Sequence, residues 1–272
     1  MKAARVLIIA GSDSGGGAGI QADIKTVTML GGFAMTAVTA ITAQNTLGVD
    51  GVLPIPTDLV LQQIDMVIDD IGVDAVKIGM IGSSETASAV AERLARLGGV
   101  PIVFDPVMIA TSGAALAGPA TIAAFERLIA TATLITPNVP ELEVLSGRTI
   151  ATGAEAESAA LVLSNKAEAA VLAKGGHLPG PILTDVLVDR EEVRRWSSDR
   201  IETRNTHGTG CTLASAIAAG LGQGLSAVEA VERGRNYTRA TILAAPGFGA
   251  GHGPMGHALG VSPFELIHSL VD

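Results

Sequence analysis

Arg5-Val6-Leu7-Ile8-Ile9-Ala10-Gly11-Ser12-Asp13-Ser14-Gly15-Gly16-Gly17-Ala18-Gly19 opens with a short, almost wholly apolar run and breaks at once into glycines. A run of that length without polar alternation reads as a strand covered on both faces. The glycines make a turn, and an amphipathic stretch reading as a helix follows. The unit then recurs. Short apolar runs lie at Met35–Ile41, Ala75–Ile78, Ile102–Phe104, Leu134–Thr136 and Ala169–Ala173. Between them the spacing predicts helices. Pro56-Thr57-Asp58 makes a helix start, with Val60, Ile64, Val67, Ile68 and Ile71 on one face; Ser83 to Leu97 and Pro119 to Thr131 read the same way. Strands alternating with helices predict an α/β protein of three layers, α/β/α, with a mostly parallel central sheet. After Lys174 the pattern changes: Ile182–Val188 and Glu192–Trp196 read as an antiparallel pair around Asp189-Arg190, closing the sheet edge. A last helix is expected from Ser226 to about Ala244. No linker, charge block or repeat divides the chain, so residues 1–272 are expected to form a single domain.

The chemically marked residues gather where these strands end: Gly11 onward, Gln44-Asn45, Gly79-Met80, Asp105-Pro106, Pro137-Asn138 and Lys174-Gly175. In an open parallel sheet, ligands bind in the crevice outside the carboxyl ends of the strands. These segments therefore point to one shared site.

Composition narrows what that site serves. Hydrophobic residues make up 48% of the chain and charged residues 17%, which describes a globular protein with a large core. Aromatics are only 3%, so Ala, Val, Leu and Ile must build that core. The balance of 18 basic against 27 acidic residues leaves −9, with no Lys/Arg cluster, against a nucleic-acid or anionic-membrane partner. The single cysteine rules out an internal disulfide framework and fits a reducing compartment. The apolar run after Met1-Lys2-Ala3-Ala4-Arg5 is too short for a signal peptide, and no stretch approaches ~18 uninterrupted apolar residues. A cytoplasmic protein is expected.

That cysteine sits in Thr206-His207-Gly208-Thr209-Gly210-Cys211-Thr212-Leu213. Leu213, Ala216, Ile217, Gly220 and Leu221 then fall at helical spacing, so Gly208, Thr209 and Gly210 offer backbone N–H groups at a helix N-terminus, where phosphate is stabilised. A thiolate there is favoured by the helix dipole, giving an expected pKa near or below ~8 against a free value of ~8.5. Cys211 reads as a buried structural thiol, a covalent nucleophile or a general base; the glycine-rich start favours the base, since no Cys/His/Asn arrangement is evident. Gly11 to Gly19 is neither G-x-G-x-x-G nor a P-loop. It reads as a flexible turn or as a loop closing on a ligand, with Asp23 one helical turn further in. Asp105 and Glu141 can supply magnesium's one or two carboxylates, or can merely cap a turn and start a helix. Lys174 can reach a phosphate as a point charge, or simply sit in a surface turn. His177, His207, His252 and His257 lack zinc spacing.

Taken in order, Ala10–Lys25, Thr39–Thr46, Lys77–Met80, Asp105–Met108, Thr136-Pro137-Asn138 with Glu141, Lys174–His177, His207–Thr212 and Gly251–Pro254 resemble the hydroxymethylpyrimidine/phosphomethylpyrimidine kinases of thiamine biosynthesis, within the ribokinase superfamily. The resemblance runs almost the whole chain. It implies a ribokinase-like fold, Mg²⁺, and ATP-dependent phosphorylation of 4-amino-5-hydroxymethyl-2-methylpyrimidine and then of its monophosphate. It also implies a homodimer. Carried over, Gly11, Asp23, Gln44, Met80 and Val107 line the pyrimidine pocket. Asp105, Asn138 and Glu141 organise Mg²⁺ and the nucleotide, Lys174 and Thr209 hold phosphate, and Gly208, Thr209 and Gly210 form the anion hole. Cys211 stands where most ribokinase relatives carry an aspartate base. Gly15 and Gly256 depart from the serine and asparagine often found there, which bears on loop contacts. The alternatives are a pyridoxal kinase and a non-catalytic pyrimidine or nucleotide sensor; Asp105, Lys174 and Cys211 together speak against the sensor.

Overall fold

The computed structural model of the chain describes residues 3–110, 113–190 and 192–259. The expected domain's ends, residues 1–2 and 260–272, lie outside the described residues. The strands are β1 (Arg5–Asp13), β2 (Phe33–Gln44), β3 (Val49–Pro54), β4 (Ala75–Ile78), β5 (Ile102–Phe104), β6 (Leu134–Ile135), β7 (Ala170–Ala173), β8 (Ile182–Asp189) and β9 (Glu192–Asp199). They form one sheet in the order β3-β2-β1-β4-β5-β6-β7-β8-β9. The six from β2 to β7 in that order run parallel; β3 closes one edge antiparallel and the β8–β9 hairpin the other. From β1 the chain crosses first to β2 on one side and later to β4 on the other. The gap between β1 and β4 is thus a topological switch point.

Side chains alternate across the sheet, and each face packs under its own helices. Leu7, Ile9, Val76, Ile78 and Phe104 join the core beneath α2 (Thr57–Asp70), α3 (Ser84–Leu94), α4 (Pro119–Ile129), α5 (Val139–Ser146) and α6 (Gly153–Ala167). Val6, Ile8, Ala10, Val103 and Leu172 join the opposite core beneath α1 (Gly19–Met29), α7 (Thr209–Gly222) and α8 (Ala227–Leu243). This is the expected three-layer arrangement. With so few aromatics, the first core has one ring pair, Phe104 edge-on to Phe125 at 5.2 Å between centroids.

Local chemistry sets the helix starts. Ser83 accepts from Thr86 N, and Thr152 and Ser226 form capping boxes with Glu155 and Glu229. Two elements escape the sequence reading. Val49–Pro54 is an exposed edge strand ending in proline, and Gly153–Ala167 is an alanine-rich helix with a weak apolar stripe. The helix expected to follow Cys211 begins at Thr209, so the thiol lies within its first turn.

Phe104 and Phe125 are both buried to within about a percent. Phe104→Ala is expected to cost roughly 3–5 kcal/mol of unfolding free energy, read as a lowered urea midpoint with an unchanged slope.

Candidate active site

Two glycine turns meet over the carboxyl ends of β1 and β4. The first, Gly15 to Gly19, is wrapped around Asp13: Oδ1 accepts from Gly15 N at 2.8 Å, and Oδ2 from Gly17 N at 3.1 Å and Ala18 N at 2.8 Å. The second is the start of α7, capped by Gly208 in the left-handed region at φ +86°. A Cβ on Gly208 would lie 2.0 Å from Gly17 O, and one on Gly17 would lie 2.5 Å from the His207 ring. Only glycines allow this approach. His207 Nε2 completes the contact at 2.8 Å from Asp13 Oδ2.

Behind these turns, the otherwise apolar β4 carries Lys77, fully buried with Nζ 3.0 and 2.8 Å from the Asp23 carboxylate oxygens. Ser215 Oγ donates to Asp23 Oδ1 at 2.7 Å. Asp23, expected against the ligand, is turned away from it. On α1 it shares the buried stripe of Ile20, Ala22, Thr26 and Val27, which faces the sheet, and Lys77 holds it there.

Gly11, Gln44, Met80, Asp105, Val107, Asn138, Glu141, Lys174, Gly208, Thr209, Gly210 and Cys211 all line one cavity of about 740 Å³. Lys77, Asp13 and His207 line it too, three residues to which sequence reasoning gave no role. A lysine inside an apolar strand was the available signal for Lys77. Gly11 and Met80 touch across one wall, where a Cβ on Gly11 would stand 2.9 Å from the Met80 sulfur.

On the other side, Lys174 Nζ lies 2.9 Å from Asp105 Oδ1 and 3.9 Å from Glu141 Oε2. Thr136 Oγ1 donates to the same Asp105 oxygen at 2.8 Å. Burial raises the Asp105 carboxyl, but Lys174, Lys77 and these hydrogen bonds bring it below the usual range, so it stays ionised. Glu141 is pushed up to about 7, by burial against the pull of Lys174 and with the Asp105 charge adding. Asn138 Oδ1 accepts from Glu141 N, and Glu141 Oε2 accepts from Asn138 N, so these two also cap α5. The turn after Lys174 is held by Gly175 N donating to Asp185 Oδ1, and Asp185 is paired with Arg235 at 2.7 Å. No cluster of three His, Cys, Asp or Glu suited to a metal occurs among the described residues. The donor set, Asp105 with Glu141, matches a cation that keeps waters and shares phosphate oxygens.

Cys211 departs from expectation. Its thiol is pushed up to about 11, first by burial, with the charges of Asp23 and Asp105 adding to the rise and Lys77 and the Gly19 N–H opposing it. Desolvation, with the two carboxylates, outweighs the pull of Lys77 and the Gly19 N–H. Cys211 is therefore a neutral thiol at neutral pH, not a thiolate.

With this geometry in place, comparison with known proteins places the chain. A profile of the phosphomethylpyrimidine kinase family matches residues 13–256. The chain belongs to that family. A hydroxymethylpyrimidine/phosphomethylpyrimidine kinase from Rhizobium meliloti (strain 1021) is 50% identical, covering 92% of this chain and 96% of the relative. The protein of that name from Bacillus subtilis (strain 168) is 45% identical, covering 93% and 94%. Among solved structures, an ADP complex of Bacillus subtilis pyridoxal kinase superposes with TM-score 0.87 at 34% identity over 94% of this chain and 98% of that one. A phosphomethylpyrimidine kinase from Clostridium difficile 630 gives TM-score 0.79 at 38% identity over 88% and 99%.

Two outcomes follow from the geometry. Gly208→Ala, strained by at least ~1 kcal/mol at its positive φ and blocked by Gly17 O, is expected to lower kcat/KM by roughly tenfold or more; circular dichroism checks that the variant is folded. Because the chain has one cysteine, iodoacetamide reports Cys211 alone. The thiolate is lost as pH falls below the thiol's pKa, so alkylation of the free enzyme should keep accelerating through pH 9–10 rather than saturate by pH 8.

Proposed function

We propose that this chain phosphorylates 4-amino-5-hydroxymethyl-2-methylpyrimidine with ATP and then phosphorylates the monophosphate to the diphosphate, in thiamine biosynthesis. The observation that carries this reading is the single cavity in which a glycine-built helix start bearing Cys211 faces Lys174 and Asp105 on one side and Gln44, Gly11 and Met80 on the other. Gln44 offers both a donor and an acceptor to an aminopyrimidine edge. Gly11, Met80 and Val107 supply apolar wall for the ring. Asp23 is assigned a supporting role, holding Lys77 beneath the site rather than touching the pyrimidine.

Phosphoryl transfer asks for positioning and charge stabilisation more than covalent chemistry. The N–H groups of Gly208, Thr209, Gly210 and Cys211 cradle the transferring phosphoryl group, and Lys174 balances its charge. Asp105 and Glu141 would hold Mg²⁺ with its waters, aided by Asn138; when bound, the ion neutralises phosphate charge. The substrate hydroxymethyl oxygen attacks the γ-phosphorus in line as the bond to the departing ADP breaks; Cys211 first gives its thiol proton to water and then, as the thiolate, takes the hydroxyl proton. Since the thiol must first ionise, Lys77 is the cation placed to offset that charge, and proton transfer comes late, as a loose transition state allows.

The relatives' names, and the ADP and AMP-PCP complexes of structurally similar pyridoxal kinases, support the nucleotide. The continuous nine-stranded sheet supports reading residues 1–272 as one domain. A homodimer fits the exposed Ile41 and Leu53, paired across the β2–β3 edge. No helix among the described residues is long and apolar enough to cross a membrane. We place the enzyme in the cytoplasm, where ATP is made and a lone thiol stays reduced.

An ADP-release assay with hydroxymethylpyrimidine, its monophosphate and pyridoxal side by side tests the reading. Turnover of both pyrimidines ahead of pyridoxal is expected; preference for pyridoxal would overturn it. Cys211→Ala is expected to lower kcat by ~10²-fold or more, and wild-type turnover by that variant would remove the base assignment.

A further inference from the structure

Gln44 sits at the centre of a hydrogen-bond arrangement whose hydrogens can be counted. As placed, its amide Nε2 lies 3.2 Å from His207 Nε2 and its Oε1 3.2 Å from Thr42 Oγ1. The two ends of an amide are alike in shape, so their partners decide which is oxygen and which is nitrogen. Asp13 is ionised: burial raises its carboxyl, but the His207 and backbone hydrogen bonds bring it below its ordinary value. A carboxylate only accepts, so His207 Nε2, 2.8 Å from Asp13 Oδ2, must carry a hydrogen. With its hydrogen given to Asp13, that nitrogen has no lone pair to accept from the Gln44 NH₂, and its partial positive charge favours the amide oxygen on that side. Thr42 gives the same answer independently. Its Oγ1 is within donating distance of both Ser12 O, at 3.0 Å, and Gln44, at 3.2 Å, but carries one hydrogen; the backbone carbonyl can only accept and is the nearer, so toward Gln44 the hydroxyl is left to accept, which calls for the NH₂ at that end.

We infer that His207, held by Asp13, is a positioning residue that fixes Gln44 with its amide oxygen toward His207 and its NH₂ toward Thr42, and so sets which way round a pyrimidine is read. This rests on the substrate proposed above. The amide keeps one lone pair and one N–H for a ligand, in a fixed order. A 4-aminopyrimidine offers the complementary pair, a ring nitrogen that accepts beside an amine that donates. Reversing the amide would require the ring to turn over, carrying the 5-hydroxymethyl group away from the α7 start. The 4-oxo analogue presents the opposite pattern, a ring N–H beside an acceptor oxygen, and needs the reversed amide. Asp13 also wraps the first glycine turn and His207 adjoins Gly208, so the group that orders the pyrimidine edge belongs to both turns.

The test compares the 4-amino substrate with its 4-oxo analogue in wild type, His207→Leu and His207→Gln. Loss of the N–H donor in His207→Leu should raise KM for the aminopyrimidine about tenfold while KM for ATP stays put, and should cut the amino-to-oxo ratio of kcat/KM by roughly tenfold or more, the scale of one bidentate base-edge contact. His207→Gln keeps an N–H donor and should recover most of that ratio. A merely structural loss would depress both substrates alike, so an unchanged ratio in His207→Leu overturns the assignment. Wild-type enzyme inert toward both pyrimidines but active on pyridoxal would overturn the substrate reading, and this assignment with it.

Discussion

A buried lysine–aspartate pair underlies the site. Lys77 and Asp23 are both wholly buried, 2.8 Å apart, with Ser215 as a further donor. Such a pair is costly to bury and adds little net stability against an apolar alternative, yet loss of one partner strands a charge in the core. Its consequence here is placement. Asp23 belongs to α1, Lys77 to β4 and Ser215 to α7, so one cluster ties both helices to the sheet at the switch point. Cys211 and Ser215 are four residues apart on α7, hence on one face, and the thiol therefore stands directly above this pair.

From that anchor the two glycine turns have little freedom. With α1 and α7 fixed, Gly17 and Gly208 come close enough that neither position admits a side chain, and Asp13 and His207 close the seam with hydrogen bonds. The charges then alternate from Asp23, behind the cavity, through Lys77, Asp105, Lys174 and Glu141 in its lining. An ionised Asp105 beside a Glu141 that releases its proton only near neutrality leaves one firm negative charge, which Lys174 answers. A phosphate entering this row meets cations and N–H groups without meeting two unscreened carboxylates.

Much of this was legible in the sequence, because period and punctuation agreed. Apolar runs such as Ile102–Phe104 end on Asp105, and Ala170–Ala173 ends on Lys174, so the strand ends announced a common crevice. What stayed hidden depended on direction or on neighbours. Asp23 lies one turn past the glycines, but which face it occupies follows from the packing of α1 on β1 and β2, with Lys77 of β4 reaching it. The Cys211 thiol was expected to ionise easily from the helix dipole alone; burial, with the charges of Asp23 and Asp105, distant in sequence, reverses the balance. The edge strand Val49–Pro54 carries a glycine, a proline and little burial, and so left no strand pattern to read.

Both glycine turns have the composition of a phosphate cradle, yet in the proposed mechanism their tasks differ: Gly208 to Cys211 receives the phosphoryl group, and Gly11 to Gly19 shapes the wall beside the pyrimidine. A crystal structure with a non-hydrolysable ATP analogue and the pyrimidine bound together decides this directly. The γ-phosphate is expected on the N–H groups at the start of α7, with the hydroxymethyl oxygen in line beside the Cys211 sulfur. A triphosphate lying in the Gly11 to Gly19 turn, with the pyrimidine remote from Gln44, would contradict it.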